Sequence, residues 1–298
     1  MVVAVTMGDP TGIGPEICVK ALQNSKLHAF VIGSAALLGP RVNKIKKVSE
    51  AKFVRGVINV MDISNPRWSP GRASMEYLEK AVELALKKEI SAIATAPISK
   101  AAINKAGYRF AGHTEFFAKR TRTKNYAMMF VADPFWVVLA TTHIPLNQVS
   151  KKITKERILN VIKLAHRARK SARIAVAGLN PHAGEKGLLG DEEKRKIIPA
   201  IAAARKLGIS VEGPFPADTL FNAAKNGKYD LVVAMYHDQG LIPIKLLAFN
   251  KAVNVTIGLP IIRTSVDHGT GFDIAGKNMA DPSSLIRAIK VAECLCIK

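Results

Sequence analysis

Short, unbroken apolar runs recur along almost the whole chain, and they constrain its fold more than any other feature. VVAVTM (residues 2–7), HAFVIG (28–33), ISAIAT (90–95), YAMMFVA (126–132), FWVVLATT (135–142), RIAVAGL (173–179), YDLVVAMY (229–236) and AVNVTI (252–257) have the length and composition of strands buried on both faces. Amphipathic helical patterns over residues 72–88, 154–170 and 191–206 lie between them, each long enough to cross over a sheet. Strands and helices alternating in this way specify an α/β protein. The runs at 126–132 and 135–142 are separated only by Asp133 and Pro134, a hairpin spacing, so antiparallel pairing joins the parallel pairing and the sheets are expected to be mixed. No internal repeat, low-complexity tract or Pro/Ser-rich linker interrupts the pattern, and composition marks no domain boundary.

With 298 residues the chain has room for two compact domains or one large one. Its three cysteines, Cys18 and the close pair Cys294 and Cys296, suggest neither a disulfide framework nor a zinc ribbon. The N-terminus has no basic leader region and no apolar run is long enough to span a bilayer, so the expectation is a cytoplasmic protein with no membrane partner. The charge is abnormal: 44 Lys and Arg against 23 Asp and Glu give +21. Such a field attracts anions, whether nucleic acid or phosphorylated metabolites. The basic residues are scattered over helices, as in KKITKERILNVIKLAHRARK (151–170), and no RNP-like or zinc-finger motif interleaves with them. A small anionic ligand is therefore expected, and specific nucleic-acid binding is the competing reading from another class.

Polar and Gly-rich clusters follow several of the apolar runs. TMGDPTGIGPEI (6–17) is a strand, a Gly-rich turn and a helix start with Pro15 and Glu16; it lacks the Lys and Ser/Thr of a P-loop and the spacing of GxGxxG. In AGHTEFFAKR (111–120), Gly112, His113 and Thr114 precede a helix that Thr114 is expected to cap, which makes a natural anion site. ATTHIPL (140–146), AGLNPHAGEKGLLGDEE (177–193) and VVAMYHDQGLIPIK (232–245) each place a histidine just after a strand: His143, His182 and His237. Each alone reads equally as a structural histidine; together they suit a shared metal with one position left open. Their ring nitrogens favour Zn²⁺, Co²⁺ or Ni²⁺ over Mg²⁺. His28, at a strand start, and His166, on a basic helix face, are given no role. Lys245, Asn254 and Arg263 are read as groups at strand ends or in loops, suited to phosphate and carboxylate oxygens, and DHGTGFDIAGK (267–277) as a polar loop able to wrap a nucleotide.

MGDPTGIGPEI, TAPISKAAINKAG, GHTEFFA, TTHIPL, LNPHAGEKGLLGDEE, GPFPADTLF, YHDQGLIPIK and NVTIGLPIIRTSVDHGTGFDIAGK, in this order and from residue 6 to about 280, resemble the motifs of the 4-hydroxythreonine-4-phosphate dehydrogenase family of pyridoxal phosphate biosynthesis. The resemblance implies an α/β, two-domain isocitrate/isopropylmalate-dehydrogenase-like fold with mixed sheets. One domain would comprise residues 1–120 with 255–298 and carry the cofactor loop; the other, 121–254, would carry the metal ligands and the dimer interface. It implies oxidation of 4-phosphohydroxy-L-threonine at C3 and decarboxylation to 3-amino-2-oxopropyl phosphate, using NAD or NADP and one divalent metal (Zn, Co or Mg), in a homodimer with the active site at the interface. Carried over by position, the metal ligands would be His143, His182 and His237. The substrate-binding residues would be His113, Thr114, Lys245, Asn254 and Arg263, with Lys245 and Asp238 as catalytic groups. His268 and Asp273 would contact the cofactor. Related enzymes act on 4-phosphothreonate or 4-phosphoerythronate, and acyltransferases on the similar fold bind coenzyme A with no histidine trio. Residues 33–65 are short and basic for the family, and Gly271 stands where its members usually carry Ala.

Overall fold

The structure, a computed structural model, describes residues 1–110, 112–249 and 251–296. The chain begins with β1 (Val3–Thr6), α1 (Gly14–Leu22), β2 (Ala29–Gly33), β3 (Val42–Lys44) and β4 (Ile58–Asp62). It continues through α2 (Pro70–Leu86), β5 (Ala92–Thr95), α3 (Lys100–Lys105) and α4 (His113–Arg120). The antiparallel pair β6 (Ala127–Val131) and β7 (Trp136–Leu139) is followed by α5 (Leu146–Lys152), α6 (Lys155–Ala168) and β8 (Ile174–Ala177). Then come α7 (Ile198–Lys206), β9 (Val211–Phe215), α8 (Ala217–Lys225), β10 (Leu231–Ala234) and α9 (His237–Ala248). β11 (Val253–Ile257), β12 (Ile262–Ser265) and α10 (Ser283–Cys296) close the described chain.

These elements form two compact units: Met1–Lys124 with Val253–Val255 and Leu259–Lys298, and Asn125–Ala252 with Thr256–Gly258. In the first unit the strand order is β3-β4-β2-β1-β5-β12, and every neighbouring pair is parallel. In the second it is β6-β7-β10-β8-β9, parallel except for the β6/β7 hairpin. β11 contributes residues to both units. The α/β class and the mixed pairing therefore follow from the apolar runs and the two-residue hairpin. Helix starts obey local chemistry: the Ser69, Ser99 and Thr154 hydroxyls accept the backbone N–H of Arg72, Ala102 and Arg157 at the starts of α2, α3 and α6. α6 buries one stripe, Ile158, Val161, Ile162, Leu164 and Ala165, and exposes its basic face. No helix among the described residues is long and apolar enough to cross a membrane.

Several local expectations need correction. Thr114 does not cap α4: Gly112 is the N-cap and Thr114 lies inside the first turn. Lys245 lies within α9, whereas Asn254 and Arg263 are each the second residue of a strand, β11 and β12, near its start. The helical pattern at 191–206 begins as a π-helical turn over Glu193–Ile197 before α7. β3, β4, β9 and β12 have no matching apolar run among those read from the sequence, because VNK, INVMD, VEGPF and IRTS mix polar residues, Gly and Pro into strands whose pairing comes from their neighbours.

Gly240 lets α9 lie directly on the sheet. A Cβ there would sit 2.7 Å from Val137 Cγ1 and 2.8 Å from Leu139 Cδ2, both fully buried in β7. Gly240→Ala is expected to destabilise the protein by about 1–3 kcal/mol through overpacking, read as a lower urea midpoint; an unchanged midpoint would mean that α9 is free to shift outward.

Candidate active site

The first unit assembles an anion-binding corner around Arg263. This side chain is 2 % exposed, its Nη2 donates to Thr95 Oγ1 at 2.7 Å, and its guanidinium stands 5.6 Å from the centroid of Phe117. Burial pushes its pKa down to about 9, which leaves it cationic at neutral pH. Keeping a guanidinium in a strand interior is costly unless something uses the charge. His113, the first residue of α4, is close enough to feel it: burial first, and the Arg263 charge second, hold the imidazole well below the ordinary histidine range. Its Nε2 is covered and has no hydrogen-bond partner. A neutral imidazole, a buried cation and the N-terminal end of a two-turn helix carrying Thr114 converge on one chemistry, the binding of phosphate or carboxylate oxygens. Asn254, on β11, has a buried Oδ1 with no hydrogen-bond partner among the described residues; that oxygen accepts, so it suits a substrate hydroxyl or amine, and only its Nδ2 can donate to an anion.

The same unit holds a cavity of about 430 Å³ lined by Pro10, Thr11, Gly12, Glu16, Gly276 and Asn278 among others, at the start of α1. Its floor is built by the Gly-rich turn. Asp9 is buried and its Oδ1 accepts the backbone N–H and hydroxyl of Thr11, while Ile13 N donates to Thr270 O at 2.9 Å. A Cβ on Gly12 would lie 2.6 Å from Thr270 O, so this close approach of the two loops requires glycine. Lys20 Nζ donates to Glu16 Oε1 and to the carbonyls of Asn278 and Ala280, which fastens the end of the 267–277 loop to α1. The loop is irregular, as expected, but His268 and Asp273 are exposed and do not line the cavity; Ala275, Gly276 and Asn278 do. Gly271 has φ +53, a left-handed conformation in which an alanine would be strained.

The second unit carries the three histidines. His143 follows β7 and His237 opens α9; their ring centroids are 5.5 Å apart. His237 Nδ1 and Asp238 Oδ1 are 2.6 Å apart, a contact that restrains the ring and leaves Nε2 outside that pair. Lys245, on the same helix, is half-buried with its ammonium 5.7 Å from the Phe249 ring. His182 is exposed on a separate turn and does not join the pair: among the described residues no group of three His, Cys, Asp or Glu side chains is placed to hold a metal. The donor chemistry of the two neighbouring imidazoles, brought together from the end of β7 and the start of α9, suits a divalent metal, and His182 lies apart from them.

Sequence reasoning missed what holds the His182 turn. Residues 182–186 all have positive φ, between 41° and 82°, and only Gly184 among them is glycine. A left-handed residue other than glycine costs about 1–2 kcal/mol, so the turn needs outside support. Glu193, 3 % exposed, provides it by accepting the N–H groups of Leu179 and Asn180. The signal was the DEE that ends the Gly-rich motif, which reads as a helix start with ordinary solvent-facing acids.

The chain matches known proteins over nearly its whole length. The family model described as pyridoxal phosphate biosynthetic protein PdxA covers residues 20–292. The chain is 46% identical to a 4-hydroxythreonine-4-phosphate dehydrogenase of Desulforapulum autotrophicum, over 98% of this chain and 94% of that protein. It is 45% identical to a D-threonate 4-phosphate dehydrogenase of Salmonella typhimurium, over 97% of each. Among solved structures, a 4-hydroxythreonine-4-phosphate dehydrogenase from Klebsiella pneumoniae superposes with a TM-score of 0.90 at 44% identity, covering 99% of both chains.

The anion corner predicts a pH signature. A histidine held below its unfolded pKa of about 6.5 stays neutral in the folded protein while the unfolded chain takes up a proton, so its contribution to stability is complete above that pH and is lost as the pH falls toward the folded pKa. NMR titration should find the His113 ring titrating below the ordinary range. Arg263→Leu should raise that pKa only in part, because burial is the larger cause; an ordinary His113 titration in the unaltered protein would contradict the geometry.

Proposed function

This chain belongs to the PdxA family of pyridoxal phosphate biosynthetic proteins, and on that premise we propose that it oxidises 4-hydroxythreonine-4-phosphate at C3 and decarboxylates the product to 3-amino-2-oxopropyl phosphate. The reading rests above all on the neighbouring His143 and His237 rings, one of them oriented by a carboxylate, within a chain whose relatives are named as dehydrogenases of phosphorylated acids. When bound, NAD or NADP accepts the hydride and a divalent metal supplies the Lewis acidity that both the oxidation and the loss of CO₂ require. His143, His182 and His237 would hold that metal. Asp238, 2.6 Å from His237 Nδ1, would orient the ring and leave Nε2 for the ion. Arg263, with His113, Thr114 and Asn254, takes the anionic oxygens of the substrate, and the buried guanidinium is already desolvated before substrate arrives. Lys245 would neutralise a further carboxylate or phosphate oxygen, take the C3 hydroxyl proton as the hydride leaves for the nicotinamide, and return a proton to the carbon freed by loss of CO₂. The cavity at the start of α1 takes part of the dinucleotide, with the helix end facing its phosphates.

A homodimer, as part of this proposal, would serve it in two ways. It would give the His143–His237 pair a route to a third imidazole across the contact between two copies. It also accounts for a second apolar face on α9: Ile242, Leu246 and Phe249 are 66, 85 and 70 % exposed along one helical stripe, while Leu241, Ile244 and Ala248 pack inward. The near-equal identity to a D-threonate 4-phosphate dehydrogenase favours a second substrate, the phosphorylated threonate with a 2-hydroxyl in place of the 2-amino group. The net charge of +21 suits both anionic substrates and an anionic cofactor, through faster encounter.

The test is reduction of NAD and NADP by chelator-stripped protein given each of the two phosphorylated acids, with and without Zn²⁺, Co²⁺ or Mg²⁺. Metal-dependent reduction with CO₂ release is expected, and the better substrate names the physiological class. His182→Ala should lower turnover at least 100-fold and abolish stoichiometric metal. Retention of both would remove the histidines from the mechanism.

A further inference from the structure

The three histidine-bearing segments of the second unit are tied together by side chains other than the histidines themselves. Gln239, two residues past His237, accepts Met235 N through Oε1 at 2.6 Å and donates from Nε2 to Gly178 O at 2.7 Å, which links the start of α9 to the end of β8. Glu193 Oε1 accepts Leu179 N at 2.7 Å and Asn180 N at 2.8 Å, and its Oε2 accepts Asn180 Nδ2 at 2.9 Å, immediately ahead of Pro181 and His182. The same Asn180 amide donates to Glu192 Oε2 at 2.8 Å, and Glu192 Oε1 accepts the hydroxyl of Ser150 on α5, the helix that His143 and Pro145 lead into. Lys196 Nζ closes the set on Ser150 O at 2.6 Å. Two glycines make room for it: a Cβ on Gly184 would lie 2.7 Å from Glu193 Oε2, and one on Gly178 2.9 Å from Ala183 Cα.

We infer that Glu193, Glu192 and Gln239 are positioning residues that hold the His143, His182 and His237 segments as one body and thereby set the affinity of the metal site. The inference rests on the metal-dependent reading above. Its logic is mechanical: the left-handed turn carrying His182 is intrinsically unfavourable, so without the Glu193 carboxylate it relaxes, and without Gln239 the α9 and β8 ends lose their common reference. Groups that orient ligands in this indirect way commonly change metal affinity by about 10–100-fold when altered.

The experiment is Co²⁺ titration of the chelator-stripped full-length protein, followed by the visible absorption of the bound ion, for Glu193→Gln, Gln239→Glu and Ser150→Ala, with thermal melts alongside. Glu193→Gln keeps the shape but presents an amide N–H to donors, and Gln239→Glu sets a carboxylate against Gly178 O. Both should weaken Co²⁺ at least tenfold and alter its absorption band in protein that still melts cooperatively, and Ser150→Ala should weaken it several-fold. Co²⁺ binding within twofold of the unaltered protein in folded Glu193→Gln and Gln239→Glu would overturn the inference. Should those two fail to fold, unchanged Co²⁺ affinity in Ser150→Ala would overturn it equally. His182→Ala separates the two levels: loss of Co²⁺ there, with full affinity in the positioning variants, defeats only the inference, whereas undiminished binding in His182→Ala defeats the metal reading on which it stands.

Discussion

Complete burial of the strands is the constraint on which the rest of this structure depends. β1, β2, β5, β6, β8 and β10 have no residue outside the core, so every position along them is taken by packing. Functional side chains are displaced to the segments that follow the strands, and three histidines leave β7, β8 and β10 in that way. The same constraint makes the exceptions informative. A guanidinium inside β12 and an amide inside β11 carry polar groups into space that would otherwise be filled by Val or Ile, at a desolvation cost of several kcal/mol for the ion. Burial of this kind persists where the charge is used, and a desolvated cation grips a phosphate more firmly than one in water.

The second unit answers a different physical problem. A histidine on a turn of consecutive left-handed residues is held in a conformation the chain alone would leave. The compensation is a buried carboxylate that accepts three N–H groups from the two residues just upstream, with a second carboxylate beside it. Hydrogen bonds from Ser150 first and Asn180 second hold Glu192 down to about 2, so its contribution to stability is complete above the ordinary carboxylate value of 4.5 and is lost as the pH falls from there toward about 2.

How far the sequence could be read follows from these same causes. The strands buried on both faces announced themselves as apolar runs, and the hairpin followed from two residues, Asp133 and Pro134. Strand β12 was not legible, since IRTS reads as a loop until neighbouring β5 pairs with it. The candidate residues were found by type and position, but their surroundings were not: nothing in AGHTEFFAKR reveals that His113 is held well below the ordinary histidine range, because that depends first on burial by the fold and second on Arg263, 150 positions away. Glu192, Glu193 and Gln239 were passed over because acids and amides near helix starts are ordinary, and only their partners across the fold distinguish them.

The central claim is that His143, His182 and His237 bind one metal completed across two copies of the chain. Anomalous diffraction from crystals of the Co²⁺-loaded protein tests it most directly. The account predicts a single strong cobalt peak per active site within bonding distance of all three imidazoles, with both copies contributing. A peak on other residues, or one bound by a single copy without His182, would contradict it.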